Sequence, residues 1–198
     1  TDRLGTLYYF AVVSFSGAGS CSEISTIPVP VTITPNAVIS NETPLTQTLC
    51  SGDNPSQLSV SITGGAGPRS YQWYRSLDAV IDSNDTPVGT NSTNFNPGVL
   101  TTPGTYYYYV TVDVDESLGC SDVSSEIFKI EVVEDPKVEI TPVNQTICTN
   151  VSAEVLVAEV TGGIDITNNG VINNDDYVFQ WYRNGVPVSE VNDTDGDV

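Results

Sequence analysis

The chain has 198 residues, of which 25 are acidic and 6 basic, and its formal net charge is -19 at pH 7. So negative a surface argues against nucleic acid as a partner, and against anionic membrane surfaces, because both need a basic footprint. The chain has no histidine, no G-x-S-x-G elbow and no glycine-rich phosphate loop, so we do not expect an enzyme. No apolar run is long enough to insert in a membrane. Methionine is absent throughout, and we therefore interpret the chain as a window of a longer polypeptide.

Two pairs of segments repeat within the chain. LGTLYYFAVVSFSGAGSC at 4–21 matches PGTYYYYVTVDVDESLGC at 103–120 with an offset of 99 residues. QTLCSGDNPSQLSVSITGG at 47–65 matches QTICTNVSAEVLVAEVTGG at 145–163 with an offset of 98. We interpret these matches as three copies of one unit of about 100 residues, a length typical of a β-sandwich module.

The copies set the predicted domain boundaries. Residues 1–35 hold the second half of one copy, 36–135 a complete copy and 136–198 the first half of the next. A short linker, EDPK, is predicted at 134–137, because Pro136 and its charged neighbours interrupt the strand pattern.

Alternating apolar and polar residues predict β-strands through the complete copy, and no segment has a convincing helical period. In chain order, SQLSVSI at 56–62 predicts strand B, YQWYR at 71–75 strand C, TYYYYVTV at 105–112 strand F and SSEIFKIEVV at 124–133 strand G. The predicted fold class is therefore all-β, with tandem β-sandwiches.

The two tryptophans of the chain occupy the same phrase, YQWYRS at 71–76 and FQWYRN at 179–184. A sandwich of this kind buries one tryptophan on strand C. We therefore predict that Trp73 and Trp181 are core residues, together with Tyr106 and Tyr108 of strand F.

The order TLCSGD, YQWYRS, GTYYYYVTV and LGC resembles the immunoglobulin-like repeats of large secreted surface proteins of Bacteroidota, including gliding-motility adhesins exported by the type IX system. The resemblance covers the whole chain, as one complete and two partial repeats. It implies a structural stalk segment of a long extracellular cell-surface adhesin, and no catalytic residues. The implied partners are neighbouring repeats of the same chain, together with other surface proteins or glycans.

The GTYYY phrase also resembles the opening of strand F in immunoglobulin domains, where the first tyrosine makes a corner hydrogen bond. Tyr106 is expected to form that bond. The first copy carries Leu7 at the equivalent position and is expected to lack it.

The four cysteines, Cys21, Cys50, Cys120 and Cys148, have no C-x-x-C spacing, so structural disulfides in an oxidising compartment are expected rather than zinc or a redox dithiol. Cys50 falls in the predicted A-to-B turn and Cys120 in the F-to-G turn, at opposite ends of a sandwich. One alternative joins Cys50 to the F-to-G cysteine of the following copy, beyond residue 198. The other is a bond between Cys50 and Cys120 within one repeat, and both stay open.

The third copy carries ten extra residues in its predicted B-to-C turn. There DITNNGVINNDD has the oxygen-ligand spacing of a calcium loop, with a glycine at the sharp turn. The candidate ligands are Asp165, Thr167, Asn169, the Val171 carbonyl, Asn173 and Asp176. A polar surface insertion is the alternative.

A second acidic run alternates Asp193, Asp195 and Asp197, while Pro87 and Gly89 replace two of these aspartates in the complete copy. Calcium bound in the B-to-C insertion, near the acidic linker residues Glu134 and Asp135, would neutralise repelling carboxylates and stiffen the joint between repeats.

Strand F also suggests a different function. Tyr107 and Tyr109 are expected on its outer face, where aromatic rings can stack on sugars. The alternative to a stalk is therefore a carbohydrate-binding immunoglobulin-like module of a secreted polysaccharide-degrading protein.

Overall fold

The computed structural model describes residues 4–16, 22–115, 120–166, 172 and 174–188. These residues form β-strands, connecting loops and one 3-10 turn, Asn174–Asp176, and none of them is α-helical. No helix in this part of the chain is long and apolar enough to cross a membrane. The chain divides into two compact units, one with residues 1–43, 58–95 and 108–127 and the other with residues 44–57, 96–107 and 128–198.

The strands are short and follow one another through loops. In chain order they are β1 (Gly5–Tyr9), β2 (Val12–Val13), β3 (Ile24–Ser25), β4 (Val29–Ile33), β5 (Val38–Asn41), β6 (Thr46–Cys50), β7 (Leu58–Thr63), β8 (Arg69–Ser76), β9 (Thr86–Val88), β10 (Asn94–Phe95), β11 (Gly104–Val114), β12 (Val123–Ser124), β13 (Phe128–Val133), β14 (Lys137–Thr141), β15 (Val157–Thr161), β16 (Tyr182–Arg183) and β17 (Val186–Pro187).

The complete copy is an all-β sandwich, as the sequence predicts. One sheet has the order β10-β7-β5, and the other has the order β6-β13-β11-β8-β9, with β12 beside β11. The first strand of the copy is divided between them, because β5 runs antiparallel to β7 and β6 runs parallel to β13. One edge strand of each sheet therefore comes from the same continuous segment.

The predicted strands B, C, F and G are confirmed as β7, β8, β11 and β13. Their inward side chains are buried, notably Leu58, Trp73, Val110, Phe128 and Ile130. On β13 the buried residues alternate with Lys129 and Glu131, whose side chains form an exposed ion pair with a 2.9 Å contact. The period of two residues identifies the buried face along strands B and G, where buried and less buried residues alternate.

Trp73 is at the centre of this core. Its side chain is fully buried, its ring stacks on Phe95 with centroids 5.5 Å apart, and its Nε1 donates a 2.8 Å hydrogen bond to the carbonyl of Ser92. Tyr108 is also buried, whereas Tyr106 and Trp181 are half-buried.

Two antiparallel strand pairs recur in the chain, at positions displaced by 98 to 99 residues. β14 pairs with β15 so that Lys137 lies opposite Thr161, as β5 pairs with β7 and Val38 lies opposite Thr63. Likewise β2 pairs with β3 as β11 pairs with β12, with offsets of 99 residues on both strands. Related sequence therefore produces the same local pairing in each segment.

Side-chain hydrogen bonds recur as well. Gln47 accepts from the backbone N–H of Ser56 at 2.7 Å and donates to its carbonyl at 3.3 Å. Gln145 makes the same two bonds to Glu154, at 2.6 and 2.7 Å. Each glutamine therefore ties the two ends of its A-to-B loop together.

Strand C carries a second repeated glutamine. The Nε2 atom of Gln72 donates to the carbonyls of Trp73 and Val88, at 2.8 and 3.0 Å. That of Gln180 donates to the carbonyls of Trp181 and Val188, at 2.9 and 2.8 Å.

Candidate functional site

The linker at 134–136 is held by a pair of glycines in the TGG motif that follows β15. The N–H of Gly163 donates a 2.7 Å hydrogen bond to the carbonyl of Glu134. Gly162 and Gly163 both have positive φ, 76° and 87°. A Cβ atom at Gly162 would lie 2.8 Å from the carbonyl oxygen of Asp135. Only glycine therefore lets the turn and the linker approach this closely.

The side chain of Tyr177 also contacts this glycine turn. Its hydroxyl donates a 2.6 Å hydrogen bond to the carbonyl of Gly162, and its ring lies against Gly163. Partial burial, the Asp176 carboxylate and the Cys50 thiolate raise the pKa of Tyr177. The hydroxyl therefore stays protonated at neutral pH and remains a donor.

The preceding linker, at 35–37, is held in the same way. The N–H of Gly65 donates a 2.8 Å hydrogen bond to the carbonyl of Pro35, and Gly64 and Gly65 have φ values of 70° and 72°. The guanidinium of Arg69 donates to the carbonyl of Gly64, the role that Tyr177 has for Gly162. Two linkers of different sequence are thus fixed by one turn geometry, which we name the TGG clamp.

Cys50 lies beside the second linker. It ends β6, and burial followed by the carboxylates of Asp135 and Asp53 raises the pKa of its thiol. Cys50 lies opposite Val133, the last residue of β13, and the N–H of Ser51 donates a 2.9 Å hydrogen bond to the Val133 carbonyl. Cys50 is therefore at the end of its copy that leads into the second linker.

Cys120 lies instead beside the first linker, in an apolar cluster with Ala37, Val112 and Val114. Cys50, Cys120 and Cys148 are free thiols here, and Cys21 lies outside the described residues. The disulfides predicted from the sequence remain predictions, with neither pairing selected.

The predicted calcium loop is described only at its ends. Asp165 is half-buried, and Asp176 closes the 3-10 turn with 6% of its surface exposed. Thr167, Asn169, Val171 and Asn173 lie outside the described residues, as do Asp193, Asp195 and Asp197. Within the described ranges no group of three or more acidic or cysteine side chains could hold a metal ion. Calcium binding therefore stays a prediction.

The expected outward position of Tyr109 is wrong. Only 2% of its surface is exposed, because its ring stacks on Tyr74 with centroids 5.1 Å apart. Its hydroxyl donates a 2.8 Å hydrogen bond to Asp85 in the loop between β8 and β9. This loop folds over strand F, which strict alternation along the strand does not reveal. Of the two tyrosines considered for sugar stacking, only Tyr107 is half-exposed.

The hydrogen bond between Tyr109 and Asp85 shifts the pKa of both side chains. Burial by itself would raise the pKa of the Asp85 carboxyl. Hydrogen bonds from the N–H of Asp82, from Tyr109 and from Ser76 outweigh burial and lower this pKa. Burial and the nearby Asp85 charge raise the pKa of Tyr109. At neutral pH the bond therefore joins a neutral hydroxyl to an ionised carboxylate, the stronger kind of hydrogen bond.

The expected corner hydrogen bond is confirmed: the hydroxyl of Tyr106 donates to the carbonyl of Thr102 at 2.8 Å. Sequence reasoning missed the TGG clamp, although the paired glycines at 64–65 and 162–163 were visible in both copies. Their signal is the requirement for positive φ, whereas the linker carbonyl that each clamp binds is not apparent from the sequence.

Comparison with known families identifies a match in the middle of the chain. Residues 39–134 match a family described as "Domain of unknown function (DUF8696)". The matched range falls inside the predicted complete copy, 36–135. No curated protein matches the chain.

Proposed function

We propose that the chain is a stalk segment of a long extracellular cell-surface adhesin, built from tandem immunoglobulin-like repeats and carrying a distal binding or motility function. The observation that carries the proposal is the TGG clamp, which occurs with the same bonds at the linkers around Pro35 and Glu134. A mechanical role depends on joints that are fixed in the same way from repeat to repeat.

The chemistry of the clamp suits this role. Each linker carbonyl accepts from a glycine N–H at 2.7 or 2.8 Å, and each turn carbonyl accepts from a side chain that follows it in the chain. The linker is therefore bonded to the folded repeat instead of hanging free in solvent. Such bonding limits bending, which a flexible linker would allow.

Cysteines and calcium are the further elements of the proposal. Cys50 lies opposite Val133, just before the following joint, and Cys120 packs near Ala37, just after the preceding joint, which favours an inter-repeat disulfide over a bond between these two residues. Peptide mapping of a longer chain that includes the next F-to-G cysteine tests this pairing. A Cys50 to Cys120 crosslink would contradict it.

Calcium is tested separately, by thermal unfolding of the chain in millimolar calcium and then in excess chelator. A bound ion raises the unfolding midpoint by mass action, and Asp165→Asn should abolish that rise. Unchanged midpoints would remove calcium from the proposal.

Force spectroscopy tests the mechanical role itself. Pulling on the two ends should unfold residues 36–135 in one cooperative event, with an extension of about 3.3 to 3.6 Å per residue less the folded length. Gly163→Ala should make the adjoining joint yield at lower force, while Gly98→Ala leaves the joint unchanged. Extension without any force-resistant event would refute a stalk.

Location needs a measurement of its own. Antibodies against residues 36–135 should label intact cells as strongly as lysed ones. Labelling only after lysis would refute the extracellular assignment, whatever the force data show.

A further inference from the structure

The strands of the complete copy that lie nearest to its two linkers along the chain include one directly bonded pair. The segments β5 and β6 follow the linker at 35–37, and β13 is followed directly by the linker at 134–136. β6 and β13 are neighbours at one edge of their sheet and run parallel. This pair therefore connects the segment after one linker with the strand before the next.

The parallel direction decides how tension between the linkers loads this pair. Its register joins five residue pairs, from Thr46 opposite Lys129 to Cys50 opposite Val133. The chain enters β6 at Thr46 and leaves β13 at Val133, so the two pulled residues lie at opposite ends of the ladder. Tension then slides one strand along the other, and the evenly spaced hydrogen bonds share the load. In an antiparallel pair the pulled residues would lie side by side, and the bonds would break one after another.

Backbone hydrogen bonds extend the ladder beyond the strand at both ends. The N–H of Lys129 donates to the carbonyl of Leu45 at 2.7 Å. The N–H of Ser51 donates to the carbonyl of Val133 at 2.9 Å. The bonded stretch therefore runs from residue 45 to residue 51, which is longer than β6 itself.

Contacts outside the ladder also oppose sliding of β6. The hydroxyl of Ser51 donates a 2.6 Å hydrogen bond to the carbonyl of Thr101, and the N–H of Gly52 donates to the carbonyl of Leu100 at 2.8 Å. The side chain of Leu49 is buried in the core. Movement of β6 along β13 would break these bonds and expose apolar surface, and both cost free energy.

Other strand pairs of the copy are loaded differently. The pairs β8–β9 and β11–β12 join strands that lie between β6 and β13 in the chain, so the β6–β13 ladder shields them from tension while it holds. β5 precedes β6 and pairs with β7. Its release would lengthen the first linker and would leave the bonds between β6 and β13 in place.

From this geometry we infer that the parallel β6–β13 ladder is the force-bearing element of the repeat. The ladder must rupture before tension can extend the sandwich. The inference rests on the proposed function, because the ladder is loaded in this way only in a stalk under tension. Resistance to force depends on the barrier to unfolding rather than on the total stability of the sandwich.

Force spectroscopy of the 198-residue chain with attachment handles at chosen residues tests the inference. Handles at Thr46 and Val133 pull the ladder from opposite ends, whereas handles at Thr46 and Lys129 pull it from one end. The first pair should need about twofold more force or higher, because the ladder bonds then break together. None of the three positions is buried, so the thermal midpoints should stay those of the wild type. Equal rupture forces for the two handle pairs would overturn the inference.

A substitution in β6 gives a second test. Strand alternation directs the N–H of Gln47 toward β13, like that of Ser51. Gln47→Pro removes this donor, and Gln47→Ala keeps it, while both lose the side-chain bonds to Ser56. Pulled by its ends, the Gln47→Pro chain should rupture at lower force than the Gln47→Ala chain. Equal forces would contradict a load-bearing ladder. The handle experiment does not depend on the folding of the proline variant.

The outcomes distinguish the ladder from the stalk. If the end-pulled wild type resists force and the two handle pairs rupture equally, the ladder is overturned and the stalk is not. If the handle pairs differ as expected and antibodies label only lysed cells, the extracellular stalk is refuted and the ladder stands as a property of the fold.

Discussion

Strand F occurs twice in the described chain, and its two versions differ in burial rather than in pattern. In the complete copy β11 lies under the opposite sheet, and Val112 and Val114 are buried. At 4–16 the same alternation leaves Val13 and Phe15 about half exposed. The comparison shows that alternation defines which face of a strand is apolar, whereas a partner sheet decides whether that face is buried.

Substituting the two tryptophans should give the largest effect on stability and tests this comparison directly. Trp73→Ala removes a fully buried indole and its hydrogen bond to Ser92, so the free energy of unfolding should fall by about 3 to 5 kcal/mol. Trp181→Ala, at a half-buried site in the third segment, should cost less than about half as much. Urea unfolding followed by far-UV circular dichroism measures both. Equal losses would contradict the contrast between the two regions.

Alanine substitutions at Gly65 and Gly98 distinguish the cost of backbone strain from the cost of close packing. Gly65 and Gly98 have nearly the same φ, 72° and 77°, so alanine at either position costs about 1 to 2 kcal/mol of strain. A Cβ at Gly65 would also lie 3.2 Å from the Cβ of Ala37, while at Gly98 nothing lies within 4 Å. Gly65→Ala should therefore destabilise the chain by about 1 kcal/mol more than Gly98→Ala. The denaturant midpoints of the two variants measure this difference. Similar midpoints would mean that the clamp contributes little to stability.

The bond between Tyr109 and Asp85 makes a pH-dependent prediction. The folded-state pKa of Asp85 is lowered, so its contribution to stability is present above its unfolded pKa of about 4 and is lost as the pH falls through the folded value. Tyr109→Phe should cost about 1 to 3 kcal/mol at pH 7 and should reduce this acid-side loss. Unfolding at pH 7 and in acid measures both effects.

Tyr107→Phe is the control for that experiment. It removes the hydroxyl of the neighbouring half-exposed tyrosine on the same strand and should change neither the stability nor its pH dependence. An equal acid-side loss in wild type and Tyr109→Phe would show that Asp85 is stabilised from elsewhere.

Removing the hydroxyl of the corner tyrosine, Tyr106, should have the smallest effect on stability. Tyr106→Phe removes the 2.8 Å hydrogen bond to the Thr102 carbonyl and should lower the free energy of unfolding by about 1 kcal/mol. Tyr71→Phe makes a suitable comparison, because the Tyr71 hydroxyl has no hydrogen bond among the described residues and its loss should be nearly neutral. A larger cost for Tyr71 would contradict the assignment.

Much of the fold could be predicted because it depends on local pattern. Leu58 and Val60 are buried at the spacing that the sequence of strand B gives, and Tyr106 forms the bond that the GTYYY phrase implies. The TGG clamp could not be predicted, since the Glu134 carbonyl is far from Gly163 along the chain, whereas Tyr106 binds a carbonyl only four residues away. Which distant backbone groups meet depends on the tertiary fold.

The sequence by itself determined the all-β class, the strands B, C, F and G and most of their inward residues, because these follow from side-chain alternation. Only the tertiary structure decided that Tyr109 is buried and that Cys50 and Cys120 lie near different linkers. These outcomes depend on which surfaces the chain brings together. Alternation within one strand carries no information about the loop or sheet that packs on it.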